Sequence, residues 1–228
     1  MPVSCPRVGI RGEVPGFRVQ GLESLTPDPW PPIPAPGTLK SEISSLIERY
    51  ESDGNLGVLL DALRDLARDA DADTLIAAAE PHKERLEVVM PLYERVIELR
   101  PDDARALVTL ANAYWLTGRG ADVVGELASR AKKADPANRA AWHLWALAEA
   151  NIRERTNRWR VVSGKFPADQ LARAALADNA VSLADAEHDP VALDLAITTY
   201  EGLLRESISP AQTRALQETL EKLRSWTL

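Results

Sequence analysis

Cysteine is nearly absent from this sequence of 228 residues, and its scarcity excludes several kinds of protein. Cys5 is the only one, so the chain has neither a disulfide framework nor a cage of thiolate metal ligands. No apolar segment precedes Cys5, and we therefore expect a free thiol there rather than a lipid attachment. No apolar run approaches the ~20 residues of a membrane span, and the first residues lack the layout of a secretion signal. We expect a cytoplasmic protein.

The sequence also lacks the common catalytic and metal-binding motifs. It contains no GxSxG, GxxxxGK[ST] or GxGxxG pattern. Its three histidines, His82, His143 and His188, lie on separate segments, and no two of them are four residues apart as in a helical zinc motif. We predict a non-enzymatic protein with no catalytic residue, no metal site and no cofactor.

Glycine and aromatic residues are few, and runs of β-branched residues are missing. Ala, Leu, Glu, Asp and Arg dominate instead, which is typical of helices. Hydrophobic residues make up 45% of the chain, enough for one domain or one short array to bury a sizeable core. The composition predicts an all-α protein.

A repeat of 35 residues is the strongest pattern in the sequence. Five positions recur at this spacing with similar side chains: Pro101, Ala106, Leu107, Leu110 and Ala111 correspond to Pro136, Ala141, Trp142, Trp145 and Ala146. Leu107, Leu110 and Tyr114 fall on one face of a helix, and Gly118 and Gly120 supply the following turn. A fixed period of this length indicates stacked helical repeats, with the two Leu and the two Trp buried between them.

At these residues the chain resembles the tetratricopeptide repeat (TPR) family. The shared features are a large residue, a Leu–small pair and a Tyr in one helix, small residues in the next, and Pro at the boundary. The resemblance covers residues 87–150, with a period of 35 where the family has 34 and Glu149 in place of a Tyr. It implies an α–α superhelix of stacked antiparallel helix pairs, and we predict eight or nine helices within residues 38–228.

Proline, glycine and capping residues predict where the helices begin and end. We expect breaks at Asp53–Asn55 and near Pro81, and a helix that runs from Trp142 to about Arg155. An irregular piece should follow at residues 161–167. The last helices should span about residues 168–187, 190–206 and 210–225.

Residues 1–37 form a Pro/Gly-rich arm with nine of the sixteen prolines, and we predict that it is extended or disordered. The segment around Trp30 should be polyproline-like. Three roles are open for it: a strap over the chain's own helices anchored by Trp30, a tether, or a ligand of a proline-recognising module.

The net charge of −7 conceals a basic middle third, with eleven basic and seven acidic side chains in residues 101–165. A basic patch surrounds Trp159: Arg153, Arg155, Arg158, Arg160 and Lys165. Such a patch could bind phosphates or an acidic protein segment, or its charges could simply face acidic neighbouring helices. The overall acidity disfavours nucleic acid as a partner.

The first helices of TPR pairs line a concave groove, so the resemblance implies a set of groove candidates. These are Arg105, Val108, Asn112, Trp115, His143 and Leu147. The family's best-known peptide-binding site binds the C-terminal carboxylate of a chaperone through Lys, Asn and Arg residues. Asn112 matches its first Asn, but Val108 and Leu144 replace a Lys and the second Asn, which argues against that ligand.

We therefore predict a protein–protein interaction or assembly module that binds a peptide or a partner helix in the groove, without a membrane. An apolar or amphipathic peptide suits the candidate residues best. Two alternatives stay open: a regulatory subunit or helical enzyme whose site needs a partner chain, and a structural protein whose exposed ends pair into a homodimer.

We predict that residues 1–25 are dispensable for folding, because their composition cannot pack a core. Their removal should leave the melting temperature, followed by circular dichroism, within about 2 °C of the full chain; a larger drop would contradict the prediction. Removal of residues 1–37 then separates the two structural roles. Loss of a strap would lower the melting temperature, whereas loss of a tether would not.

Overall fold

The computed structural model describes residues 36–226, which form eleven α-helices and no strand. The helices are α1 (Pro36–Asp53), α2 (Leu56–Arg68), α3 (Ala72–Ala79), α4 (Leu86–Leu99), α5 (Ala104–Leu116), α6 (Ala121–Ala134), α7 (Arg139–Leu147), α8 (Ile152–Lys165), α9 (Gln170–Glu187), α10 (Pro190–Glu206) and α11 (Pro210–Arg224). The all-α prediction is confirmed for these residues, although eight or nine helices were too few. Of the predicted arm, residues 1–35, including Trp30, lie outside the described part.

Short polar side chains define where most of these helices begin. An Asn, Asp or Ser at the N-cap accepts a backbone N–H at the start of eight helices: Asn55, Asp71, Asp103, Asn138, Asn151, Asp169, Asp189 and Ser209. Each such cap contributes roughly 1 kcal/mol. Between α5 and α6, Gly118 and Gly120 have φ of 71° and 106°, backbone conformations that side chains with a Cβ rarely adopt.

From α4 to α11, each helix packs against the next along the chain. The core is correspondingly a series of clusters rather than one centre. One cluster joins α4 to α7 through residues such as Val89, Leu110, Val124 and Ala141. Separate clusters lie at the N-terminal helices and between α9, α10 and α11. In a stacked repeat array, likewise, each repeat contacts only its neighbours, and the stability is approximately the sum of the repeats and the interfaces between them. No helix within residues 36–226 is both long and apolar enough to span a membrane.

The segment after the second repeat corrects the sequence prediction. Helix α7 ends at Leu147 instead of continuing to Arg155. Helix α8 covers residues 161–165 of the predicted irregular piece, so that only Phe166 and Pro167 of that piece lie outside a helix. Asn151 causes the break, because its side chain caps α8 by accepting the N–H of Glu154. The predicted breaks at Asp53–Asn55 and Pro81 are present, and α4 continues through the buried Pro91.

The predicted core is only partly observed. Leu107 and Leu110 are buried, but Trp142 and Trp145 are half-buried. The neighbouring Ala141 and Ala146 take the fully buried positions instead. An indole is too large for the close contact between two helices, which a methyl group allows.

We predict that Leu110→Ala lowers the free energy of unfolding by roughly 2–5 kcal/mol, because Leu110 is 1% exposed in a cluster that joins four helices. Urea denaturation measures the difference. Leu116→Ala on the same helix is the matched control, since Leu116 is 62% exposed and should lose only about 0.5 kcal/mol. Equal losses at the two positions would contradict the packing described here.

Candidate ligand groove

A groove of about 590 Å³ crosses the face formed by α5, α7 and α9. Its walls are mostly apolar, and α4 and α8 contribute at the margins. The residues that line it are Lys83, Leu86, Val89, Val108, Thr109, Asn112, Ala113, Ala140, His143, Leu144, Leu147, Trp159, Leu171 and Ala175. The groove opens to solvent where Asn112 and Leu171 are exposed, and it is lined by buried residues such as Val89 and Trp159 elsewhere.

Four of the six groove candidates lie in this groove. Val108 and Asn112 come from α5, and His143 and Leu147 from α7. Each pair is four residues apart and so shares one face of its helix. Arg105 and Trp115 do not line the groove, although both are exposed on α5. The structure therefore brings the two pairs together and leaves Arg105 and Trp115 outside the groove.

The sequence reasoning missed the third wall of the groove. Helix α9 contributes Leu171, which is 66% exposed, and Ala175, while α8 contributes Trp159. The repeat pattern ends near residue 150, so it did not indicate which faces of α8 and α9 are buried and which face the groove. The available signal was local: Asp169 is a good N-cap, and Leu171 and Ala175 are four residues apart on the helix that follows.

His143 is held in place by a buried carboxylate. Its Nε2 lies 2.7 Å from Oδ2 of Asp169, the N-cap of α9. Oδ1 of Asp169 accepts the backbone N–H groups of Leu171 and Ala172, at 3.1 and 3.3 Å. Arg139 adds a contact of 3.5 Å to Oδ2. Both oxygens of Asp169 are thus engaged, and the imidazole is fixed between α7 and the start of α9.

The pKa of Asp169 is lowered despite its burial. Burial alone would raise the pKa, but the N–H of Ala172, the hydrogen bond from His143 and the charge of Arg139 stabilise the carboxylate and prevail. Asp169 is therefore ionised at neutral pH. Among the described residues, no three His, Cys, Asp or Glu side chains converge closely enough to hold a metal ion.

The predicted basic patch is largely occupied by contacts within the chain. Arg153 pairs with Glu187 and Asp189, Arg155 bonds Asn179, and Arg158 pairs with Glu149. Trp159, at the centre of the patch in the sequence, is buried and cannot stack on a base. Arg160 and Lys165 have no acidic partner within residues 36–226. Of the five residues, Arg153 and Arg158 thus face acidic side chains of the chain itself.

Trp142 and Trp145 lie outside the groove in a cluster with cations. Their rings meet edge to face at 5.7 Å. The Nζ of Lys132 is 3.4 Å from the ring centre of Trp145 and 4.5 Å from that of Trp142, while Arg158 and Lys165 flank the two rings. Burial and the charge of Arg158 lower the pKa of Lys132. These contacts join α6, α7 and α8 by cation–π attraction.

Comparison with solved structures supports the fold. A MamA structure from MSR-1 shares 17% identity and superimposes with a TM-score of 0.51, covering 75% of this chain and 98% of that one. For MamA from Desulfovibrio magneticus RS-1 (19% identity, TM-score 0.49), the matched region covers 77% of this chain and 100% of the MamA chain. For a TPR protein from Thermus thermophilus (14% identity, TM-score 0.48), the matched region covers 82% of this chain and 100% of the TPR protein.

These likenesses concern the fold alone. The argument for the fold rests on the MamA structure from MSR-1, whose TM-score is above 0.5. The chain has a TPR-like helical fold, as the resemblance in residues 87–150 predicted. No protein-family model and no curated protein matches the sequence.

We predict that Asp169→Asn destabilises the protein at pH 5 and above, because it removes a charge that the N–H of Ala172, His143 and Arg139 stabilise. The folded-state pKa of Asp169 lies below its ordinary 3.8, so its contribution is complete above that value and is lost as the pH falls through the folded pKa. In urea denaturation, the difference from the unmodified protein should therefore be complete at pH 5 and above and shrink below about pH 4.

The control for this measurement is Asp185→Asn. Asp185 lies exposed on the same helix and has no ion-pair partner within residues 36–226, so its substitution should change stability little at any pH. A difference for Asp169→Asn that stays constant down to about pH 2 would contradict the predicted role of the charge.

Proposed function

We propose that this protein is an interaction module that binds an apolar or amphipathic peptide, or one face of a partner helix, in the groove of α5, α7 and α9. The observation that carries the proposal is the convergence of Val108, Asn112, His143 and Leu147 on one mostly apolar groove. A cytoplasmic location, a non-enzymatic role and pairing of two copies remain predictions from the sequence.

The size and lining of the groove suit a peptide. Its volume of about 590 Å³ falls within the range of about 300–1,000 Å³ found for ligand sites. Leu171 stands exposed on one wall, and Leu147 and Val108 are half-buried on the others. A partner that covered these side chains would remove apolar surface from water, which is the main favourable term in association.

The polar groups of the groove would orient the ligand. Asn112 is exposed, and its amide makes no hydrogen bond within residues 36–226. It can donate and accept, which suits either a backbone amide or a polar side chain of a peptide. Because Arg153, Arg155 and Arg158 are engaged inside the chain, we assign the basic patch at most a secondary role in attracting an acidic partner.

A selection from random peptides of roughly twelve residues displayed on phage, with the full-length protein as target, tests the proposal. We expect selected peptides to lose at least about tenfold in affinity, measured by fluorescence anisotropy, against Leu171→Glu. Leu171 is sufficiently exposed for this change to leave the fold intact, and circular dichroism verifies that.

Val161→Glu is the matched control. Val161 is exposed on α8 but does not line the groove, so the same change of charge should leave binding unaltered. Peptides that bind both variants as well as the unmodified protein, or a selection that yields no binding peptide, would overturn the proposed function.

A further inference from the structure

Two lysines outside the groove converge on one tryptophan ring. The ammonium groups of Lys132, on α6, and Lys165, on α8, both lie within 5.0 Å of the ring centre of Trp142, on α7. Because both nitrogens are this close to one point, they are at most twice that distance apart. Lys165 is exposed and Lys132 is half-buried. We call the set the lysine–tryptophan cluster: Lys132, Lys165, Trp142 and Trp145.

The two positive charges of the cluster have no carboxylate partner. Neither Lys132 nor Lys165 forms an ion pair or a hydrogen bond to an oxygen within residues 36–226. The acidic side chains nearby, Glu149 and Glu154, are paired with Arg158, whose guanidinium lies over the ring of Trp145. Burial and the charge of Arg158 lower the pKa of Lys132, and a carboxylate beside it would favour its ammonium form again.

The state of the rings favours an acidic protein segment over a nucleic acid as the partner. Nucleic-acid sites stack bases on free aromatic faces. Here cations lie over both rings: Lys132 and Lys165 over Trp142, and Lys132 and Arg158 over Trp145. The two rings also contact each other edge to face. The net charge of −7 repels a long polyanion, whereas a short acidic segment needs only the local positive charges.

We propose that the lysine–tryptophan cluster binds an acidic segment of a partner protein, in which two Asp or Glu side chains reach Lys132 and Lys165. Alternate residues of an extended segment lie on one side, about 7 Å apart, and residues i and i+4 of a helix are about 6 Å apart. Both spacings fall within the limit set by the shared contact with Trp142. No member of the cluster lines the groove, so this inference does not rest on the proposed function.

A fluorescein-labelled peptide of alternating Glu and Ser, roughly twelve residues long, serves as the probe for the full-length protein. Fluorescence anisotropy at about 50 mM salt should give a dissociation constant below about 1 mM, and the affinity should fall at least about threefold at about 300 mM salt. A peptide with Gln in place of Glu should not bind. Labelled oligothymidylate of the same length should bind at least about tenfold more weakly than the Glu–Ser peptide.

Lys132→Met combined with Lys165→Met removes both charges and keeps unbranched side chains against the rings. This variant should bind the Glu–Ser peptide at least about tenfold more weakly. Lys40→Met combined with Lys222→Met is the matched control, because it changes the net charge equally at exposed lysines of α1 and α11. Its affinity should stay within about twofold. Circular dichroism verifies the folds, and the exposed Lys165→Met alone should lose about threefold.

Each contrary outcome would overturn the proposal. Tighter binding of oligothymidylate than of the Glu–Ser peptide would make the cluster a nucleic-acid site instead. An equal loss in the matched control would reduce the effect to the net charge, and a probe that does not bind below about 1 mM would leave the cluster without its ligand. The Glu–Ser peptide should bind Leu171→Glu as it binds the unmodified protein. A loss of binding there would place the peptide in the groove and contradict a separate site.

Discussion

The stacking of this protein depends on alanine methyl groups that lie fully buried where two helices cross. Ala111, Ala128, Ala141, Ala177 and Ala196 are among them, and they recur from α5 to α10. A methyl group lets two helix axes approach to roughly 8 Å, the short end of the usual range for packed helices. Larger side chains at these positions would separate the helices. The core is consequently distributed over successive crossings, and no single cluster holds the whole chain together.

This kind of packing leaves a face on which the ligand groove forms. The first helices of three pairs, α5, α7 and α9, present side chains one position away from their buried stripe. Because helices rather than loops carry these side chains, their spacing is fixed by the same crossings that stabilise the fold. Asn112 and His143 therefore occupy fixed positions on neighbouring helices.

The sequence predicts this arrangement where local and long-range signals agree. Residues 101–134 combine apolar periodicity, an Asp cap and a Gly-containing turn, and α5 and α6 appear as predicted. The break before α8 was missed because residues 142–155 contain neither Gly nor Pro, the two residues that most clearly mark the end of a helix. The signal lay in Asn151 and Glu154, a capping pair inside a helical pattern. The role of α9 could not be read because it begins 31 residues after α7, outside the 35-residue period.

The polar chemistry of the groove lay beyond the sequence for a different reason. His143 and Asp169 are 26 residues apart, and nothing in their local patterns joins them. They meet because the N-terminus of α9 stacks beside the middle of α7, so Asp169 caps one helix with one oxygen and holds His143 with the other. A single carboxylate thus caps α9 and positions His143. Asp169 cannot be changed without loss of that cap, which contributes to the stability of α9. Asn112 and Leu171 line the same groove but are exposed, so the fold places no such constraint on their side chains.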